Sequence, residues 1–277
     1  MSTPELTLAD VLQPEWRVSP RVRALVTTRN GGVSAPPFGR WRDGVDLPGG
    51  LNLGSRAGDD PQAVEINRAR LLALTGAPAA WLEQVHGAEV VRADEVLAGA
   101  QQGDAPVRAD ASVTDQPGVV CVVMIADCMP VLFCDEKGRA VGAAHAGWRG
   151  LAAGIVEKTA QRVADLAGEG TGALHAYLGP AIARGAFEVG ADVRDAFMNG
   201  VEAVQRDATA KGFVPRPEMP GKYFADLAAL ARIRLNQIGI TRVSGGDICT
   251  VTQRERFYSY RRDRETGRMA AMIWLAG

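Results

Sequence analysis

"ADCMPVLFCDEKGRAVGAAHAGWRG", residues 126–150, holds two apolar runs joined by Asp135-Glu136-Lys137-Gly138. Each run is short, unbroken and bounded by turn residues, which reads as two strands meeting in a hairpin. Cys128 opens the first run and His145 closes the second. Strands are also expected over Val22–Thr28, Ala109–Thr114, Val119–Ile125, His175–Leu178, around Val243, over Tyr258–Arg261 and over Met269–Leu275. Trp81–Val91 reads as strand–turn–strand around His86-Gly87.

Helices are fewer. Asp60-Pro61 supplies an N-cap and a first-turn proline for a helix that ends at Gly76. Further helices are expected from Gly147-Trp148 to Leu166, near Ala191–Asn199, and over Ala225–Ile238 with Gly239 as its stop. Arg29–Leu53 is rich in Gly and Pro and reads as a long loop; the polar stretch from Asn199 to Gly221 carries no element signal. Strands outnumber helices without alternating strictly with them, which disfavours a doubly wound parallel sheet. The expectation is an α+β fold, with mixed β-sheets flanked by helices in a layered single domain over residues 21–277 behind a lead-in over residues 1–20.

The chain has 277 residues, 47% hydrophobic and 23% charged, with a formal net charge of -1. That balance is ordinary for a soluble globular protein and lacks the excess of Lys and Arg that draws a protein to a phosphate backbone. The one dense basic cluster, Arg254–Arg264, is interleaved with Glu255, Asp263, Tyr258 and Tyr260. It reads either as a solvated strand and turn or as a substrate site. No apolar run reaches bilayer-spanning length and the N-terminus does not read as a secretory leader, so a cytoplasmic protein is expected, with no membrane or nucleic-acid partner. Cys121, Cys128, Cys134 and Cys249 form no C-x-x-C pair, and the chain holds neither G-x-G-x-x-G nor G-x-x-x-x-G-K-[ST].

Only His86, His145 and His175 are present. His175 lies inside an apolar strand and reads as a packing residue, as do Cys121 and Cys134. His86, His145 and Cys128 stand instead at turns and strand ends. Were the strands around 121 and 141 side by side, Cys128 and His145 would reach one sheet edge, and His86 would complete two imidazoles and a thiolate. Zinc takes such ligands, and three protein ligands leave a fourth position open. Cys128 with His145 also reads as a nucleophile and base.

The segments "TTRNGGVS", "LNLGSRAGDDP", "QVHGAEVV", "RADASVTDQPGV", "ADCMPVLFCD", "AAHAGWRG", "GPAIARGAFEVG", "ICT" and "FYSYRRDRETGR" together resemble the laccase-domain, or polyphenol oxidase-like, family. Its members include multifunctional purine nucleoside phosphorylases and the bacterial peptidoglycan editing factor. The resemblance implies a metal at His86, Cys128 and His145, described as zinc, with copper as the other candidate. It implies phosphorolysis of adenosine, inosine, guanosine and methylthioadenosine, with adenosine deamination alongside. The partners implied are a small-molecule nucleoside and phosphate; the sequence does not set the oligomeric state, for which a monomer is plausible. Phosphate needs cationic forks, for which Arg29, Arg149 and Arg261 are candidates, Arg149 also for its place at a helix start. Asn52 and Gln84 are candidates for ribose or base. The alternatives are a cysteine or metal amidase acting on a cell-wall precursor, a mononuclear-copper polyphenol oxidase, and a metal-stabilised interaction module. Three histidines are too few for the imidazole-rich centres of a multicopper oxidase. One departure from the family pattern is Ala181, where "GPCI" reads "GPAI".

Overall fold

The computed structural model describes residues 6–199 and 201–277. Among them the chain runs through β1 (Val22–Val26), β2 (Asn30–Ser34), β3 (Arg40–Arg42), β4 (Val45–Leu47) and α1 (Pro61–Thr75). It continues with β5 (Ala79–Ala80), β6 (Val90–Arg92), α2 (Ala93–Gln101), β7 (Ala111–Thr114), β8 (Val120–Ile125), β9 (Met129–Asp135) and β10 (Val141–Ala146). Next come α3 (Trp148–Ala152), α4 (Ile155–Ala167), β11 (Leu174–Leu178), β12 (Glu188–Gly190), α5 (Ala191–Met198) and α6 (Ala203–Lys211). The last elements are β13 (Phe213–Pro215), β14 (Lys222–Ala225), α7 (Leu227–Gln237), β15 (Arg242–Gly245), α8 (Tyr260–Asp263) and β16 (Met269–Leu275). This is an α+β single-domain fold built on mixed sheets, as the strand-rich pattern implied.

Two sheets form the centre. One has the order β1-β16-β8-β5 and the other β15-β11-β9-β10-β7-β6. Side-chain alternation along the strands sorts the core into layers. Cys121, Val123 and Ile125 of β8 meet Leu132 and Cys134 of β9 between the sheets. Val120 and Val122 point the other way, toward Leu25, Leu53 and Leu71. Val131 and Phe133 face α4 and α7. Every residue of β9 and β10 is buried because both faces of their sheet are covered, which is why these strands read as continuous apolar runs.

The strands around 121 and 141 do not lie side by side. β8 belongs to the four-stranded sheet and β10 to the six-stranded one. Residues 126–128 are a bend that carries the chain from one sheet to the other, and Cys128 sits in it. β10 pairs antiparallel with β9, so His145 stands opposite Pro130 and Ala146 opposite Met129. That register, not a shared edge with β8, brings the end of β10 to Cys128.

Other expectations change for local reasons. The Gly-rich segment 29–53 holds three short strands, β2 to β4. Gly32 lets the 49–50 backbone close against β2; a Cβ there would lie 2.2 Å from the Gly50 oxygen. Of the strand–turn–strand expected over 81–91, residues 81–89 are irregular and only Val90 and Val91 fall in a strand, β6. The helix expected from 147 to 166 is two helices, broken at Gly154 with φ 86°. Tyr260–Asp263 is a short helix capped by the Ser259 hydroxyl, not a strand. α2 and α6, each nine residues long, are not among the helices expected from the sequence. Residues 1–5 of the expected lead-in lie outside the described residues; Leu6 is buried against the outer face of the four-stranded sheet.

The β9–β10 turn is held by Asp135, which is fully buried. Its carboxylate accepts from the backbone N–H of Lys137 at 3.2 Å, Arg139 at 2.5 Å and Ala140 at 3.0 Å, and from Arg139 Nε at 3.0 Å. Burial alone would raise the pKa of Asp135, but these donors outweigh it and hold the carboxyl below its ordinary range. A carboxyl lowered on folding stabilises the fold above its unfolded pKa of about 3.9, and that contribution is lost as pH falls through the folded value. Asp135→Ala is expected to cost about 2–3 kcal/mol at pH 7, because the N–H groups of Lys137, Arg139 and the buried Ala140 lose their acceptor. Urea unfolding at pH 7 and pH 3 checks this; the gap between wild type and variant should narrow at pH 3.

Candidate metal centre and cleft

The ligand atoms of His86, Cys128 and His145 lie within 4.8 Å of one another. The two imidazole rings meet edge to face, with centroids 4.8 Å apart. His145 is buried, Cys128 half-buried and His86 exposed at the mouth. Burial alone would push the Cys128 thiol up; the adjacent imidazoles of His145 and His86 reverse this and bring it down to about 6. Burial alone would lower His145; the Cys128 sulfur and the Asp110 carboxylate raise it to about 9. The two imidazoles thus favour the thiolate, the form that ligates metal or attacks a carbonyl.

Asp110 organises both histidines, although the sequence reading gave it no role. Its side chain is fully buried. One carboxylate oxygen accepts from Val85 N at 3.1 Å and Gly87 N at 2.7 Å. The other accepts from His86 N at 2.9 Å and faces His145 Nδ1 at 2.8 Å. The Asp110 backbone carbonyl also accepts from His145 N at 2.7 Å. Burial would raise the pKa of Asp110, but His145 and these N–H groups keep it below the ordinary range. An ionised carboxylate only accepts, so Nδ1 of His145 carries the proton and Nε2 is turned toward Cys128. The wrapped backbone holds His86 at φ 59°, a left-handed conformation uncommon for a residue with a Cβ.

Asp127 does the same for the cysteine. It stands at φ 91° in the crossover bend. Its buried carboxylate accepts from Thr250 Oγ1 at 2.6 Å, Ser259 Oγ at 3.0 Å and Arg261 N at 2.6 Å. The Cys128 bend is thereby tied to the C-terminal segment. The signals in the sequence were a carboxylate at an expected strand, Asp110, and one between two apolar runs, Asp127, since buried charges persist only when partnered.

The donor set fits a cation such as zinc. A tetrahedral ion with bonds of about 2.0–2.3 Å spaces its ligands roughly 3.3–3.8 Å apart, within the separation found here. Gly147 leaves the space: a Cβ there would lie 2.8 Å from Cys128 Sγ and 3.3 Å from His86 Cδ2. Its φ of -64° is open to any residue, so the constraint is purely steric. Gly147→Ala is expected to weaken zinc affinity by more than about tenfold, as displaced ligand support does at other metal sites. Competition against a chromophoric chelator measures it; unchanged affinity would mean that the ligand cradle has slack.

The three side chains open onto a cavity of about 750 Å³. Trp81, Trp148, Phe187 and Tyr260 contribute to its walls. Gln84 lines it, but its amide is spent on the Met124 backbone, donating to the carbonyl at 2.9 Å and accepting from the N–H at 2.7 Å. Arg149 lines it, with its guanidinium 4.4 Å from the Trp148 ring centroid. α3 is only five residues long, which removes the helix-dipole argument for Arg149. Arg261 lines it and donates to the carbonyls of Ala186 and Glu188.

Two candidates lie elsewhere. Arg29 is 2% exposed; it donates to Gly39 O at 3.0 and 2.6 Å and pairs with Asp46 at 3.5 Å. Asn52 is fully buried and bridges Asp59, Gly54 N and Arg268 N. Both serve the loop layer behind the cleft. Arg68, Arg264 and Arg268 line the cleft and were not singled out from the sequence. His175 sits in β11 away from the site. Burial pushes the thiols of Cys121, to about 12, and Cys134 upward, as expected of inert packing cysteines. Ala181 is buried beside Cys249 and outside the cleft wall. Among the described residues no helix is long and apolar enough to cross a membrane.

Known proteins resemble this chain over nearly its full length. A purine nucleoside phosphorylase of Pseudomonas aeruginosa is 49% identical over 264 residues, covering 95% of this chain and 98% of that protein. The purine nucleoside phosphorylase YfiH of Escherichia coli K12 is 47% identical over 270 residues, covering 97% and 100%. The crystal structure of a Neisseria meningitidis protein superposes with a TM-score of 0.84 at 46% identity, covering 97% of this chain and 100% of that one. A family model described as multi-copper polyphenol oxidoreductase laccase matches residues 23–276, and the chain belongs to that family.

Proposed function

We propose that the protein is a zinc-dependent purine nucleoside phosphorylase acting on adenosine, inosine, guanosine and methylthioadenosine, with adenosine deamination at the same site. The observation that carries this reading is the convergence of His86, Cys128 and His145 on an arginine-lined cleft of about 750 Å³ with aromatic walls. Relatives that bear the name purine nucleoside phosphorylase along their whole length support it.

The cleft suits both halves of the reaction. Aromatic faces such as Trp81 and Trp148 offer apolar platforms for a purine. Arginine forks match phosphate oxygens. In phosphorolysis a phosphate oxygen bonds to C1′ of the ribose, and the C1′–N9 bond breaks. Its electron pair leaves with the purine, which takes up a proton and departs as the neutral base. In deamination, water adds at C6 of adenine and ammonia leaves. His86, Cys128 and His145 would hold the cation, whose chemistry when bound is Lewis acidity toward an oxygen of phosphate or water. Asp110 fixes the tautomer of His145.

Adenosine incubated with the metal-loaded protein is expected to release adenine only when phosphate is present, with inosine forming independently of phosphate. Adenine release that ignores phosphate would overturn phosphorolysis. The lowered Cys128 thiol beside His145 favours a second reading, amide hydrolysis on a cell-wall precursor. There Cys128 would attack the carbonyl carbon and His145 would hand its proton to the leaving amine. A metal-free protein whose Cys128 is alkylated rapidly would favour that reading.

A further inference from the structure

Five arginines line the cleft with no carboxylate within ion-pair distance among the described residues: Arg68, Arg149, Arg261, Arg264 and Arg268. Arg56, at the rim, is already paired with Glu83 at 2.6 Å. Of the other two carboxylates at the site, Asp110 and Asp127, each is spent on N–H and O–H donors. The cleft thus has an unbalanced positive charge.

Arg268 is the most built-in of the five. Its backbone N–H donates to Asn52 Oδ1 at 2.8 Å, and its carbonyl accepts from Leu53 N at 3.0 Å. Asn52 is held in turn by Asp59, and its carbonyl accepts from Asn67 Nδ2. The aliphatic stem crosses Gly54, where a Cβ would lie 2.6 Å from Arg268 Cγ. One terminal nitrogen is spent on the carbonyls of Thr266 at 2.7 Å and Gly267 at 3.1 Å. Nε and the other terminal nitrogen have no protein acceptor among the described residues. Burial lowers the pKa of this guanidinium, and it lies within the field of the Cys128 sulfur. A half-buried cationic fork, rigidly presented beside a metal-type centre with two adjacent donors unspent, matches two oxygens of a tetrahedral oxyanion.

We propose that Arg268 is the phosphoryl-recognition residue of the cleft, presenting Nε and one terminal nitrogen to a phosphate group placed against the His86–Cys128–His145 centre, with Asn52 and Gly54 positioning it. The phosphate is either inorganic, as the phosphorolysis reading requires, or carried by a nucleotide substrate. The first source rests on that reading; the anion site does not.

Calorimetry on the full-length, metal-loaded protein separates these. Inorganic phosphate, adenosine and adenosine 5′-monophosphate are titrated separately into wild type, Arg268→Gln and Arg268→Lys. Arg268→Gln is expected to weaken phosphate binding by at least about 30-fold, the size seen when one partner of a buried charge pair is truncated. Arg268→Lys should keep the charge, lose the fork and fall between. Adenosine affinity should change less than about twofold, and in turnover the KM for phosphate should rise while that for adenosine stays. Gly54→Ala, which keeps the guanidinium but displaces its stem, should reproduce the phosphate defect and decides the matter if Arg268→Gln does not fold. Phosphate affinity unchanged in Arg268→Gln, or in Gly54→Ala where that variant decides, overturns the proposal even if phosphorolysis is observed. Binding of neither phosphate nor the monophosphate by wild type also overturns it. Binding of the monophosphate alone, lost in Arg268→Gln, upholds the anion site, assigns it to a substrate-borne phosphate and removes the phosphorolysis reading.

Discussion

Under the proposed function, Cys128→Ala is expected to abolish metal binding at the centre and to lower phosphate-dependent turnover about a thousandfold, or roughly 4 kcal/mol of transition-state stabilisation. The sulfur is the one anionic donor of the three, and two neutral imidazoles alone bind a divalent ion far less tightly. Cys128→Ser does not rescue the loss, because a serine hydroxyl stays protonated where the Cys128 thiol has come down to about 6. The fold should survive both changes. Cys128 is half-buried in a bend, and that bend is anchored by Asp127 through Thr250, Ser259 and Arg261, not by the thiol. Metal content by elemental analysis, taken with circular dichroism and turnover, checks all three points. A variant that keeps stoichiometric zinc and its activity would remove the thiolate from the centre.

Asp110→Ala is expected to act on stability and on metal affinity together. Removal of a buried carboxylate strands the N–H groups of Val85, His86 and Gly87 and frees the Nδ1 side of His145. Breaking a buried charge network of this kind costs about 3–5 kcal/mol. Loss of the group that orients a metal-binding histidine lowers affinity by about 10–100-fold. His86 has the most to lose, since its left-handed backbone persists only while the carboxylate holds the turn. Asp110→Asn is no conservative control: its amide nitrogen would face N–H donors. Chemical denaturation and zinc competition should therefore both move for either variant. A stability loss with unchanged metal affinity would reduce Asp110 to a structural role.

The two predictions probe different depths of what could be read from residue order. The apolar runs of β8, β9 and β10 are legible because burial on both faces leaves no polar positions, and the Asp135–Gly138 segment announces the reversal between β9 and β10. The Asp60-Pro61 start of α1 and its Gly76 stop are local too, set by an N-cap hydrogen bond and a left-handed C-cap. The short strands of segment 29–53 were not legible, since their pairing depends on backbone approach at Gly32 and Gly50 and not on a hydrophobic pattern. The helix at Tyr260–Asp263 reads as a strand in sequence because its aromatic-rich flanks carry β propensity, which the Ser259 cap overrides.

His86, Cys128 and His145 stood out in the chain because scarce, chemically able residues fell at turns. Their meeting has a cause that residue order does not contain. β8 leaves one sheet, bends at Asp127, and enters the other as β9, so Cys128 arrives at the end of β10 through inter-strand register. Arg29 and Arg268 look alike in sequence, each within two residues of a glycine. Packing sends the first into a buried pair with Asp46 and the second into the cleft. Propensity, capping and alternation are short-range and survive in the chain as pattern. Which sheet a strand joins, and where a long side chain points, is settled by contacts between residues far apart in sequence, and these exist only once the layers have closed.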